Sequence, residues 1–65
     1  MPLVEIHLWK DSADDSVKEK LIEEVSKKVS EIIGAPIQAV EVLIHEVPKS
    51  NWGIGGIPAS KKKFK

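Results

Sequence analysis

One long helical stripe, set between two short alternating runs, constrains this chain more than any other feature. Val17, Leu21, Val25, Val29 and Ile32 recur at spacings of three and four, and Ile22 and Ile33 widen the stripe. That spacing predicts an amphipathic helix over 16–33, with Lys18, Glu19, Glu23, Glu24, Lys27, Lys28 and Glu31 mostly on the opposite face. Asp14, Asp15 or Ser16 can cap its start, where negative charge meets the positive end of the helix dipole. Gly34 is a natural left-handed stop, and Pro36 prevents continuation.

The flanking runs alternate at period two. In residues 3–9, Val4, Ile6 and Leu8 share one face, and Leu3, Glu5, His7 and Trp9 share the other. In residues 40–47, Val40, Val42 and Ile44 oppose Glu41, Leu43, His45 and Val47. The apolar face is expected to meet the helix. Strand, helix, strand is a βαβ unit, and its right-handed crossover makes the two strands parallel. Pro48 ends the second strand because it cannot donate to a ladder. Residues 49–56 form a glycine-rich turn region, and 54–59 are expected to return as a short hairpin. Residues 60–65 read as a mobile basic tail. The fold class is therefore α/β (α+β): one βαβ unit plus a short C-terminal β-hairpin.

Sixty-five residues make one domain, spanning 1–65, close to the lower size limit for a self-sufficient core. Chains of this size lean on disulfides, metals or partners. There is no cysteine, which leaves oligomerisation as the expected support. Two strands and one helix cannot cover both sheet faces, so the mixed face is expected to lie between subunits. Ten lysines balance ten acids, and there is no arginine. A zero net charge argues against an extended nucleic-acid-binding face. No apolar run approaches the roughly 20 residues that span a membrane, and no signal peptide is visible. The expected compartment is the cytoplasm.

Pro2 is the residue whose chemistry stands out. A small second residue favours removal of Met1, and Pro2 then carries an N-terminal secondary amine at the head of a strand. A free α-amine titrates at about 7.7–8.0, and burial among apolar groups lowers that value. The result is a general base poised near neutrality, on a ring that limits the entropy lost in positioning it. His7 and His45 lie on separate strands with no third ligand at metal spacing. No metal is expected from them, and a strand or interface hydrogen bond is. The run Gly53-Ile54-Gly55-Gly56 lacks the lysine and following helix of a phosphate loop and reads as a turn.

Taken together, the residues resemble the 4-oxalocrotonate tautomerase family. The resemblance rests on Pro2, Ile6-His7, Leu21-Ile22, Glu24-Val25-Ser26, Ala35-Pro36, Glu46, Gly53-Ile54-Gly55-Gly56 and Ala59-Ser60-Lys61, in that order along nearly the whole chain. It implies a tautomerase-type fold completed by oligomerisation, as a homohexamer arranged as a trimer of dimers, with sites at subunit boundaries. It also implies isomerisation of a small molecule by the N-terminal proline, without cofactor or metal. The family's aromatic residue before the glycine motif corresponds to Trp52 here. Ile54 belongs to the same apolar wall, and Trp9 stands where leucine is common, as interface packing first and substrate wall second.

The chain also departs from the family. Two arginines handle the substrate's carboxylate and carbonyl groups in the best-known members, and neither is present. Ser12 or Ala13 takes the first place and Glu41 the second, a reversal of charge. Losing one partner of a buried charged pair costs about 2–5 kcal/mol, which argues against a dicarboxylate substrate. Glu41 is expected first as an ion-pair partner across an interface. Near Pro2 it would also favour the protonated amine. Lys10 and Lys49 are the cations at hand, although a flexible lysine does not reproduce an arginine fork. The expected substrate is an enolisable 2-oxo acid or related unsaturated carbonyl compound. The alternatives are a hydratase- or lyase-like member with cationic Pro2 as acid, and a non-catalytic oligomeric ligand-binding or scaffold homologue.

Overall fold

In the computed structural model, which describes residues 2–63, the two alternating runs are strands β1 (Leu3–Trp9) and β2 (Glu41–Val47), and the stripe is helix α1 (Asp15–Ile33). β1 and β2 pair in parallel, with Leu3 opposite Glu41, Ile6 opposite Ile44 and Trp9 opposite Val47. β3 (Gly53–Ile54) and β4 (Ile57–Pro58) form a separate antiparallel hairpin. Its two-residue turn, Gly55-Gly56, has φ of 60° and 83°. Two successive positive φ values match the right-handed twist of the flanking strands, and glycine adopts them without strain. Short 3-10 turns occupy Ile37–Ala39, Lys49–Asn51 and Ala59–Lys61. Ser60 and Lys61 of the basic C-terminal run therefore belong to a turn, while Phe64 and Lys65 lie outside the described residues.

Of the three candidate caps, the structure selects Asp14. Its carboxylate accepts the Val17 N–H at 2.9 Å and the Ser16 hydroxyl at 2.9 Å. The Val17 bond leads the causes that hold the Asp14 carboxyl below its usual range. At the other end Gly34 takes φ 75°, and its N–H returns to the Ser30 carbonyl. α1 then packs on β2, and Lys18 reaches Glu46 across 2.6 Å. That hydrogen bond raises the Lys18 ammonium and lowers the Glu46 carboxyl from their ordinary values. Both side chains keep partial exposure, 24% and 34%, so water screens the pair.

The helical stripe is wider than the sheet it meets. Leu21, Val25 and Val29 are half-buried, whereas Val17, Ile22, Ile32 and Ile33 stay exposed. Two strands span only about 5 Å between axes, so they cover a narrow strip of the helix. Among the described residues Ala59 is the single buried apolar one. The chain exposes 5089 Å², against about 4,100 Å² for a folded monomer of its size. Its radius of gyration, 14.7 Å, exceeds the roughly 11 Å of a compact chain this long. Leu3, Leu43 and Ile57 add exposed apolar surface, at 53%, 47% and 45%. No described helix is long and apolar enough to cross a membrane.

Candidate active site

The parallel register separates the sequence-predicted site residues into two groups. Pro2 precedes β1 and is half-buried. Its carbonyl accepts the Glu41 N–H at 2.9 Å, and Glu41 is exposed at the head of β2. Pro2 and Glu41 are thus backbone neighbours at one end of the sheet. Trp9 and Trp52 meet at the other end, edge to face, with ring centroids 6.0 Å apart and planes at 83°. Such aromatic pairs contribute about 0.5–1.5 kcal/mol beyond the area they bury. Seven residues at about 3.3 Å each put the two ends roughly 23 Å apart along β1.

The aromatic end carries its own equipment. His7, Leu8, Trp9, Ser12 and Trp52 line an open hollow of about 260 Å³. Ser12 is fixed there because its N–H and hydroxyl both donate to the Trp9 carbonyl, at 3.1 Å and 2.6 Å. The turn that makes this possible passes through Asp11 at φ 66°, a left-handed value that aspartate tolerates better than most residues. Lys49 holds its ammonium 4.9 Å from the Trp9 ring centroid, a cation–π distance. Lys10 is anchored through its N–H to the Val47 carbonyl at 2.9 Å. Ile54 is half-buried in β3, and the hairpin is tied back by the Ala59 N–H donating to the Trp52 carbonyl at 2.7 Å. Trp52 thus lies at the end of the sheet away from Pro2, and Ile54 follows it two residues later in the hairpin. A larger hollow of about 310 Å³ lies on the helix among Ser16, Glu19, Lys20 and Glu23, a solvated charged face without convergent chemistry.

Sequence reasoning missed one constellation. The register sets His7 opposite His45 and alternation puts Glu5 on the same face, a neighbour that was not paired with the histidines from the sequence, where only a strand or interface hydrogen bond was expected of them. The Glu5 carboxylate lies 2.9 Å from His45 Nε2, and the two imidazoles stack at 4.6 Å. The period-two pattern together with the parallel pairing of a βαβ unit contained the signal. It needed the register, which the pattern alone does not set.

Comparison with known proteins gives one consistent answer. The tautomerase enzyme family model matches residues 2–62. A 2-hydroxymuconate tautomerase of Pseudomonas putida is 46% identical over 61 residues, covering 94% of this chain and 95% of that one. A 4-oxalocrotonate tautomerase isozyme of Methylibium petroleiphilum superposes with a TM-score of 0.82 at 42% identity, over 91% of this chain and 94% of that one. The heterohexamer 4-oxalocrotonate tautomerase of Chloroflexus aurantiacus superposes with a TM-score of 0.87 at 25% identity, over 97% and 100% of the two chains.

Proposed function

This chain belongs to the tautomerase enzyme family, a family of isomerases, and we propose that it moves a proton within an enolisable 2-oxo acid through the N-terminal amine of Pro2. With Met1 removed, the neutral amine takes a proton from carbon beside the substrate carbonyl. The ammonium so formed returns it at another carbon, completing a keto–enol or double-bond shift. The proton is conserved and the amine is regenerated, so the cycle calls for no cofactor.

The observation that carries this reading is the split of the site residues between the two ends of β1. The sheet has the order β1-β2, so among the described residues the outer edge of β1 has no strand partner. A second copy laid antiparallel along that edge, centred near Ile6, brings its aromatic end to Pro2. The exposed apolar groups support the same association, since a free chain leaves them in water. A site built this way takes Pro2 and Glu41 from one chain and Trp52, Ile54, Trp9 and Ser12 from another. It also draws in Lys10 and Lys49 of the second chain. We infer a homohexamer, a trimer of dimers, as the full assembly; it covers the mixed sheet face as well as the β1 edge.

The same composition supports a narrower substrate class. The Pseudomonas putida relative is a 2-hydroxymuconate tautomerase. The present chain has no arginine and puts Glu41 beside Pro2, so a second carboxylate meets repulsion instead of a bidentate clamp. One carboxylate, met by a lysine, with an apolar body against the tryptophans, fits the residues best. Glu41 also favours the second reading, in which a cationic Pro2 acts as acid in a hydratase- or lyase-like step.

The test takes the intact mass of the purified protein and assays that sample with the enol of an aryl 2-oxo acid. Loss of Met1 with ketonisation that drops in Pro2→Ala supports the proposal. Loss of Met1 with no turnover, or with turnover indifferent to Pro2→Ala, refutes it. The alanine keeps the carbonyl that anchors Glu41, so strand pairing is preserved in the variant.

A further inference from the structure

We infer that Glu5, His7 and His45 form a binding site for a divalent transition-metal ion of the zinc class, on the sheet face away from α1. Among the described residues these three make the one group of candidate ligands with converging donors, all within 4.8 Å of one another. His7 and His45 are the only histidines of the sequence, and the fold places them opposite one another on adjacent strands. Their rings lie 4.6 Å apart and 13° from parallel. Glu5, two residues before His7 on the same face, already holds His45 Nε2 at 2.9 Å.

The chemistry of the donor set selects the ion. Two imidazoles and one carboxylate suit zinc, nickel or copper, whereas calcium and magnesium ask for oxygen ligands. A four-coordinate zinc ion with bonds of about 2.0–2.2 Å holds its donors roughly 3.3–3.5 Å apart. The Glu5–His45 separation is already slightly shorter than that. The two rings need only a tilt about their terminal side-chain torsions, which are soft for histidine. All three residues stand on paired strands, so the backbone is fixed and little ordering remains to offset binding. His45 and Glu5 side chains are 42% and 52% exposed, which leaves the remaining coordination position to water or to a donor from another copy. Glu5 is three residues from Pro2, about 10 Å along the strand, whereas His7 also lines the aromatic hollow, so the test reads metal uptake and not turnover.

The experiment titrates zinc chloride into the metal-free full chain and follows heat and bound metal. One ion per chain at micromolar affinity is expected, with magnesium chloride giving no uptake. His7→Gln and His45→Gln should each weaken zinc binding by about tenfold or more, and Glu5→Gln should weaken it in the same direction. The unsubstituted protein supplies an independent readout, because zinc should shift the ring-proton resonances of both histidines together. Absence of uptake at high micromolar zinc overturns the inference. So does uptake that survives both histidine variants, which would assign the ion to the N-terminal amine or the acids, and so does zinc binding that leaves either ring unshifted.

Discussion

Mixing two damaged forms of the protein should restore activity, because the proposed site draws on two chains. The first form is Pro2→Ala and the second Trp52→Ala. The loss in the first is expected to be about tenfold or more, since alanine keeps an amine but lacks the ring that holds it. The second loses an apolar wall whose burial is worth about 1.5–3 kcal/mol, which reads as about tenfold or more in kcat/KM. Along β1 the two positions are about 23 Å apart, while reacting atoms must approach to about 3–3.5 Å. No single chain can therefore place its own Trp52 over its own Pro2. When equal amounts are unfolded together and reassembled at random, about a quarter of the sites combine an intact Pro2 with an intact Trp52 from different chains. Activity per chain should climb to about a quarter of the unsubstituted level, above either variant alone. Ketonisation of an aryl 2-oxo acid enol measures this, with light scattering to verify that the mixed and parent assemblies match in size. A mixture no better than the mean of its parents would refute the shared site. So would full activity in Trp52→Ala.

Further outcomes follow from individual contacts. Glu41→Arg removes the carboxylate from the backbone neighbour of Pro2 and supplies a fork for a second carboxylate. It should lower KM for a dicarboxylate enol by about tenfold relative to a monocarboxylate one, and an unchanged ratio would count against the assigned role. Lys18→Met removes the tie to Glu46, whose carboxyl is lowered while Lys18 is raised. The Glu46 contribution is present above the ordinary carboxylate pKa and lost as pH falls through its lowered value. The Lys18 contribution is present below the ordinary lysine pKa and lost as pH rises through its raised value. The stability advantage of the unsubstituted chain should therefore hold between about pH 4.5 and pH 10 and fade outside that window. Thermal melts of both forms across pH check this, and added salt should shrink the difference. Gly34→Ala meets no atom within 4 Å, so its cost is the left-handed backbone alone. About 1 kcal/mol is expected, or a Tm lower by roughly 4–8 °C, and an unchanged Tm would contradict it.

The order of elements, the helix end at Gly34 and the turn at Gly55-Gly56 were legible in the sequence because each is set by local chemistry. Periodicity reports which residues share a face, and glycine reports where φ must turn positive. The family resemblance, and with it Pro2, Trp52 and Ile54 as candidates, was legible in the same way. Tertiary structure decided where those candidates meet. Strand register arises from packing between segments more than 30 positions apart, and it set Pro2 beside Glu41 while sending Trp9 to Trp52 at the far end. It also gathered Glu5, His7 and His45, which no local spacing connects. The helical stripe was legible in the sequence, whereas the sheet decided how much of it is covered, because two strands are too narrow to cover Val17, Ile22, Ile32 and Ile33. Sequence determined which surfaces are apolar, and the width and register of the sheet determined which of them remain for another chain.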